Sequence, residues 1–466
     1  MNFFDDLEKY SHNTAIVSES SGQISYNALL DTAGKIGERI EKRCLVFLVC
    51  KNNLESIVGY IGLMRAKAVT VLISDSNYKS FFANLLAKYK PEYIFLPSTT
   101  PQSDLNFTAV YSYGSYTLFK TNYCIDYTLH DELALLLTTS GSTGSPKLVR
   151  QSYQNINSNT ESIAKYLRIN SEDRPITTMP MSYSYGLSII NSHLLKGSSI
   201  ILTDATLMDR GFWEELRNKN ATTFGGVPYI FEMLKKLHFE RMNISSLKYI
   251  SQAGGKLSLE LSASFAEICK NQGIEFYVMY GQTEATSRMS YLPWKSAQSK
   301  AGSIGTAIPG GKFWLEDENK NIIKKSNSIG QLVYQGDNVT MGYAENCFDL
   351  KNGDENYGIL YTGDLAKRDA DGFYYITGRM NRFLKMYGNR VNLDELEDHV
   401  RSEGYDCVCS GTDDNLKIYT TELNDKDRII SYIAKHTGLN QAGFSFVHIN
   451  RIPRNDSGKV QYSALT

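Results

Sequence analysis

The sequence predicts an α/β protein. It reads as a large N-terminal domain of doubly wound sheets with a small β-rich unit, followed by a small α+β C-terminal domain. Three observations carry this reading. Apolar strand-like runs alternate with amphipathic helical segments through the first 280 residues, the rhythm of βαβ units. From Gly311 the pattern changes to shorter strands and turns. The length, 466 residues, exceeds what one small core organises.

In chain order, Leu45–Cys50 is an unbroken apolar run and reads as a buried strand. Asn53–Arg65 reads as a helix with Leu54, Ile57, Val58, Ile61 and Met64 on one stripe. Ala68–Ile73 is the next strand, Tyr78–Tyr89 the next helix, and Leu133–Leu137 a short buried strand. The alternation resumes with strands at Ser199–Thr203, Ala221–Phe224, Tyr249–Gln252 and Glu275–Met279. The β-rich stretch supplies Lys312–Leu315, Gln331–Tyr334 and Tyr374–Thr377. Phe383–Met386 and Val391 flank a hairpin turn, and Leu393–Val400 reads as a helix.

The formal net charge of −1 gives no electrostatic reason to expect nucleic acid or an anionic membrane as partner. Seven cysteines, an odd number, argue against a complete disulfide framework. Cys407-Val408-Cys409 sends both thiols to one face of a strand, where ordinary core cysteines are expected. The opening Met1–Asp6 lacks a basic segment before an apolar one, and no run reaches the length of a membrane span. A cytoplasmic location is the expectation.

The loop Thr138–Lys147 packs six hydroxyl side chains, two glycines and a lysine after the Leu133–Leu137 run. Backbone N–H groups, hydroxyls and a cation in one turn suit a polyphosphate. It is not the common P-loop, because Pro146 precedes Lys147 and Leu148 follows it. A magnesium ligand must therefore come from elsewhere. Tyr280-Gly281-Gln282-Thr283-Glu284 follows a strand, and open parallel sheets bind ligands at the carboxyl ends of their strands. Tyr280 offers a ring for a purine, Thr283 a donor for phosphate, and Glu284 the hard oxygen that magnesium prefers. A second phosphate-type lysine, Lys459, stands in Pro453–Lys459.

Thr138–Lys147, Tyr280–Thr286, Tyr361-Thr362-Gly363-Asp364, Gly378-Arg379 and Pro453–Lys459 stand in an order that resembles the acyl-adenylate-forming enzymes. That family includes acyl- and aryl-CoA synthetases, peptide-synthetase adenylation domains and luciferase. The Ile24-Ser25-Tyr26 opening is similar too, so the resemblance covers nearly the whole chain. It implies adenylation of a carboxylic acid by ATP with Mg2+, then transfer to a pantetheine thiol of CoA or of a carrier protein. It implies that Thr138, Thr139, Ser140, Gly141, Ser142, Thr143, Gly144 and Lys147 cover the β- and γ-phosphates. Thr283 would contact the α-phosphate, Glu284 hold magnesium, and Tyr280, Gly281 and Gln282 line the adenine site. Asp364 and Arg379 would bind the ribose, and Lys459 would bridge carboxylate and α-phosphate.

The same resemblance divides the chain into residues 1–380, which bind ATP and acid, and a mobile domain, 381–466, which carries the catalytic lysine. The hinge would be Asn381, where relatives commonly have aspartate or lysine. Arg390 would contact a phosphate during thiol transfer. The acyl pocket would draw on Tyr183, Tyr185, Gly225, Gly226, Gly254, Gly255 and Arg288. The segment Pro180–Leu187 has no acid to hold an ammonium group, which disfavours an α-amino acid. Arginines usually face solvent; a buried one at Arg288 would demand an anionic partner, and a polar or dicarboxylic acyl substrate with its distal group on Arg288 is then the expectation. An ATPase or kinase using the same loop, or an adenylating enzyme that forms no thioester, are the alternatives.

Overall fold

The computed structural model describes residues 2–75, 78–99, 107–138, 147–380, 382–387, 389–421, 425–437, 439–454 and 460–465. The chain gathers into two compact units. One comprises residues 1–301, 307–312 and 335–360; the other comprises 302–306, 313–334 and 361–466. The short β-strands after residue 311 group largely with the C-terminal residues in this division.

The larger unit is built on an eight-stranded sheet. Its order is Tyr343–Ala344, Leu148–Ser152, Leu133–Thr138, Val69–Ser74, Leu45–Cys50, Tyr93–Pro97, Tyr116–Lys120 and Thr108–Tyr113. Only the middle is parallel. Leu45–Cys50 pairs in parallel with Val69–Ser74 and Tyr93–Pro97, and Val69–Ser74 with Leu133–Thr138. Both edges are antiparallel. The doubly wound reading thus holds, with antiparallel strands added at both edges. The Thr108–Tyr113 strand is mostly exposed and rich in polar residues, so it carries little of the apolar signal by which strands are read.

The Leu54–Arg65 helix starts where the Asn53 side chain accepts from the Ser56 N–H at 3.0 Å, an N-cap. The expected single stripe is too narrow. Every residue from Ser56 to Met64 is buried, because the helix is enclosed between the sheet and the Tyr26–Gly37 helix. Gly62 makes that contact possible: a Cβ there would stand 2.4 Å from the Ala33 carbonyl oxygen.

A second sheet places Thr223–Gly226, Tyr249–Gln252 and Glu275–Tyr280 in parallel and adds Ser290–Leu292 antiparallel. Its core includes Ile163, Tyr185, Ile189, Tyr249, Tyr277 and Met279. The segment expected at Ala221–Phe224 is strand only from Thr223, and it runs on to Gly226.

In the smaller unit, strands Ile329–Gln335, Ile359–Arg368 and Tyr374–Arg379 lie side by side. Phe383–Met386 and Asn389–Asn392 form the expected hairpin. A three-stranded sheet, Cys407–Thr412, Asn415–Thr420 and Phe444–His448, packs with the Leu393–Ser402 and Lys426–Thr437 helices. Cys407 and Cys409 share its main apolar core, while Val408 joins Tyr419, Ile452 and Leu465 in another, as strand alternation requires. Arg382 pairs with Asp394 at 2.8 Å and Glu397 at 2.5 Å, and stacks on the Tyr462 ring at 3.7 Å. The Tyr462 hydroxyl donates to the other Glu397 oxygen at 2.9 Å. No described helix is long and apolar enough to cross a membrane.

Candidate active site

The second sheet delivers the loop after Glu275–Tyr280 to the carboxyl ends of its parallel strands. Gly281 turns the chain so tightly that a Cβ would stand 1.8 Å from the Ser287 carbonyl oxygen. A single 3-10 turn, Thr283–Ala285, follows. Thr286 then takes φ +64° and ψ −57°, the left-handed γ-turn region that β-branched residues avoid. The Ser287 N–H donates to the Ala285 carbonyl at 2.6 Å across it.

Such backbone persists only where its surroundings over-determine it. Here the Thr286 hydroxyl donates to the Asn338 carbonyl at 2.8 Å. The Asn338 amide donates to the carbonyls of Ala285 and Arg288 at 2.9 and 3.2 Å. Asn159 donates to the Arg288 carbonyl at 2.8 Å. The result sets Thr283 and Glu284 at the open side of the turn and drives Arg288 inward.

Glu284 is half-buried. Among the described residues its carboxylate is bonded by the Tyr343 hydroxyl, at 2.7 Å. Burial, and then the Glu284 charge, push the Tyr343 phenol well up, so it donates. The Glu284 carbonyl accepts from the Thr340 N–H and hydroxyl at 3.0 and 2.9 Å. A carboxylate oriented by a neutral donor, with an oxygen to spare, fits a hard divalent cation.

The Thr283 hydroxyl meets the Ser184 hydroxyl at 3.3 Å. Ser184 opens the Ser184–Leu194 helix just after Tyr183. The Tyr185 hydroxyl hydrogen-bonds the Ser251 carbonyl and hydroxyl, both at 2.9 Å. Burial pushes the phenols of Tyr183 and Tyr185 up to about 12. Two of the expected pocket glycines make room for these rings. A Cβ at Gly225 would lie 2.5 Å from the Tyr185 hydroxyl, and one at Gly254 2.6 Å from that of Tyr183. Gly226 faces Ile230 and Gly255 faces Pro228.

Arg288 does not face solvent; it is 2% exposed. Its Nε donates to the Ser188 hydroxyl at 3.0 Å and its Nη1 to the Tyr166 hydroxyl at 3.1 Å. The guanidinium lies 5.1 Å from the Tyr185 ring centroid. Close by, His193 Nδ1 bonds the Ile189 carbonyl at 2.8 Å, and its Nε2 meets the Tyr249 hydroxyl at 3.3 Å. Burial lowers this imidazole to about 4.

The other expected residues fall as follows. Thr138 ends its strand, and the exposed Lys147 pairs with Glu345 at 2.6 Å. Tyr280 and Gln282 hydrogen-bond each other at 3.3 Å. Asp364, buried in the smaller unit, pairs with Arg379 at 3.2 Å. Thr139, Ser140, Gly141, Ser142, Thr143, Gly144, Asn381 and Lys459 lie outside the described residues, as does the Arg390 side chain. The sequence reading missed Tyr343, Asn338, Asn159 and His193. Each reaches the site from far along the chain, and none belongs to a motif.

A family model described as AMP-binding enzyme matches residues 3–344. The Saccharomyces cerevisiae oxalate–CoA ligase is 24% identical, over 98% of this chain and 95% of that protein. A D-alanine–D-alanyl carrier protein ligase of Staphylococcus aureus is 24% identical, over 84% of this chain and 79% of that protein. The fold matches O-succinylbenzoate coenzyme A synthetase from Bacillus subtilis, solved with ATP and magnesium ion. The TM-score is 0.79 at 18% identity, over 100% of this chain and 99% of that one. With the family model spanning most of its length, the chain belongs to the AMP-binding enzyme family.

Proposed function

We propose that this protein is an AMP-forming ligase that activates a carboxylic acid with ATP and passes the acyl group to a thiol. The observation that carries the proposal is one turn, at the carboxyl end of a central strand, that presents Thr283 and Glu284 outward and Arg288 inward. In the first step a carboxylate oxygen attacks the α-phosphorus of ATP, the bond to the β-phosphate oxygen breaks, and pyrophosphate leaves. Positioning and charge stabilisation are what such a step needs. Thr283 donates to the α-phosphate, and Lys147 and Lys459 offset phosphate charge. Asp364 and Arg379 hold the ribose, and Tyr280 meets the adenine. Glu284 would hold Mg2+, which neutralises polyphosphate charge when bound.

In the second step a pantetheine thiol displaces AMP from the acyl-adenylate, forming the thioester. The relatives are named for both kinds of acceptor, CoA and a carrier protein. We assign CoA or a carrier-borne pantetheine, since both present the same thiol. Residues 381–466 move about Asn381 between the steps in this reading. Acid-dependent ATP–pyrophosphate exchange across aliphatic, aromatic, amino and dicarboxylic acids tests the first step. Exchange with one class supports adenylation. ADP release without exchange would replace it with a kinase or ATPase reading.

A further inference from the structure

Arginine stays charged at every accessible pH, so a buried one needs an anion nearby. Two other enclosed arginines have one. Arg150 pairs with Glu355 at 2.9 Å, and Arg382 with Asp394 and Glu397. Arg288, among the described residues, meets only neutral groups: the Ser188 and Tyr166 hydroxyls, the Met279 sulfur and the Tyr185 ring. Asp173, a carboxylate buried in this region, is held by Lys248 at 2.9 Å.

The guanidinium lines a small cavity, with room for about one water. Gly225, Ser251, Tyr249 and the neutral His193 share its wall. The Ser184–Leu194 helix measures the site. Ser184 touches Thr283 and Ser188 touches Arg288, one turn apart on the same face. Four residues of helical rise come to roughly 6 Å. Thr283 and Arg288 thus stand about one helical turn apart along this helix, a separation that favours a short acid.

We infer that the acid activated here is a short dicarboxylic acid, its reacting carboxylate at Thr283 and its second carboxylate on Arg288. This rests on the adenylation reading above. Arg288 is then a specificity-determining residue, and the buried charge is neutralised when substrate enters.

The test has two arms. In the first, ATP–pyrophosphate exchange is measured with malonate and succinate against propionate and butyrate, for the native protein and for Arg288→Met. The native protein should favour the diacids by at least 100-fold in kcat/KM, and Arg288→Met should lower that preference at least tenfold. Equal use of monoacids and diacids, or an unchanged ratio in the variant, overturns the inference while leaving adenylation standing. The second arm needs no variant and no turnover. Millimolar malonate or succinate should raise the melting temperature of the native protein where propionate and butyrate do not. Absence of that difference overturns the inference. Absence of exchange with any acid, alongside a diacid-specific shift, overturns adenylation and keeps the Arg288 subsite.

Discussion

A phenol 59 residues further along the chain orients the carboxylate proposed to hold magnesium. Removing it should matter by about one hydrogen bond. Tyr343→Phe is expected to lower pyrophosphate exchange about tenfold at limiting magnesium, from roughly 1.5 kcal/mol, and to recover as magnesium is raised. An unchanged magnesium dependence would free Glu284 from Tyr343. His193 supplies a pH prediction. Its folded pKa, about 4, lies below the usual value near 6.5, so the unfolded chain binds the proton first. Its contribution to stability is complete above pH 6.5 and is lost as pH falls toward 4. Melting temperatures over that interval should drop more steeply for the native protein than for His193→Gln; parallel curves would contradict this. The motifs that hold Thr283, Glu284 and Asp364 stand out in the sequence because their spacing is local. Tyr343 and Asn338 were not, because a hydrogen bond between distant segments leaves no mark on either one alone.

Several elements were legible almost to the residue. Leu45–Cys50, Tyr78–Tyr89 and Tyr249–Gln252 have the ends their sequences imply. The Thr108–Tyr113 and Tyr116–Lys120 hairpin was missed, since its outer strand mixes tyrosine with threonine and serine. The depth of the Leu54–Arg65 helix was missed for another reason: its glycines look permissive in sequence, yet they mark close packing. Gly62→Ala should cost roughly 1–3 kcal/mol by pushing the Tyr26–Gly37 helix away, read as a lower urea midpoint at constant slope. A midpoint within error of the native value would mean that this helix pair yields easily. Gly281→Ala meets backbone, not a movable side chain, so it should displace the Thr283–Ala285 turn itself. Exchange activity should fall at least 100-fold in that variant while its far-ultraviolet spectrum stays native.

At the scale of the whole molecule, the five ordered motifs pointed to the family and the strand–helix alternation to the α/β class, while the grouping of the β-rich strands with the C-terminal residues came only from the structure. If the C-terminal residues alternate between two half-reactions, Lys459→Ala should abolish exchange. It should spare thioester formation from supplied acyl-adenylate; an equal loss in both assays would rule out that alternation. The cluster of Arg382, Glu397 and Tyr462 bears on how such a lysine is carried. Tyr462 stands three residues beyond Lys459, with Leu465 buried and its carbonyl accepting from the Tyr419 hydroxyl at 3.1 Å. Residues 462–465 thus plug this part of the smaller unit. A stop codon placed just after residue 460 would strip a ring from Arg382 and a donor from Glu397, leaving an open seam against Val408 and Tyr419. That truncated protein should accordingly melt at a lower temperature than the native one.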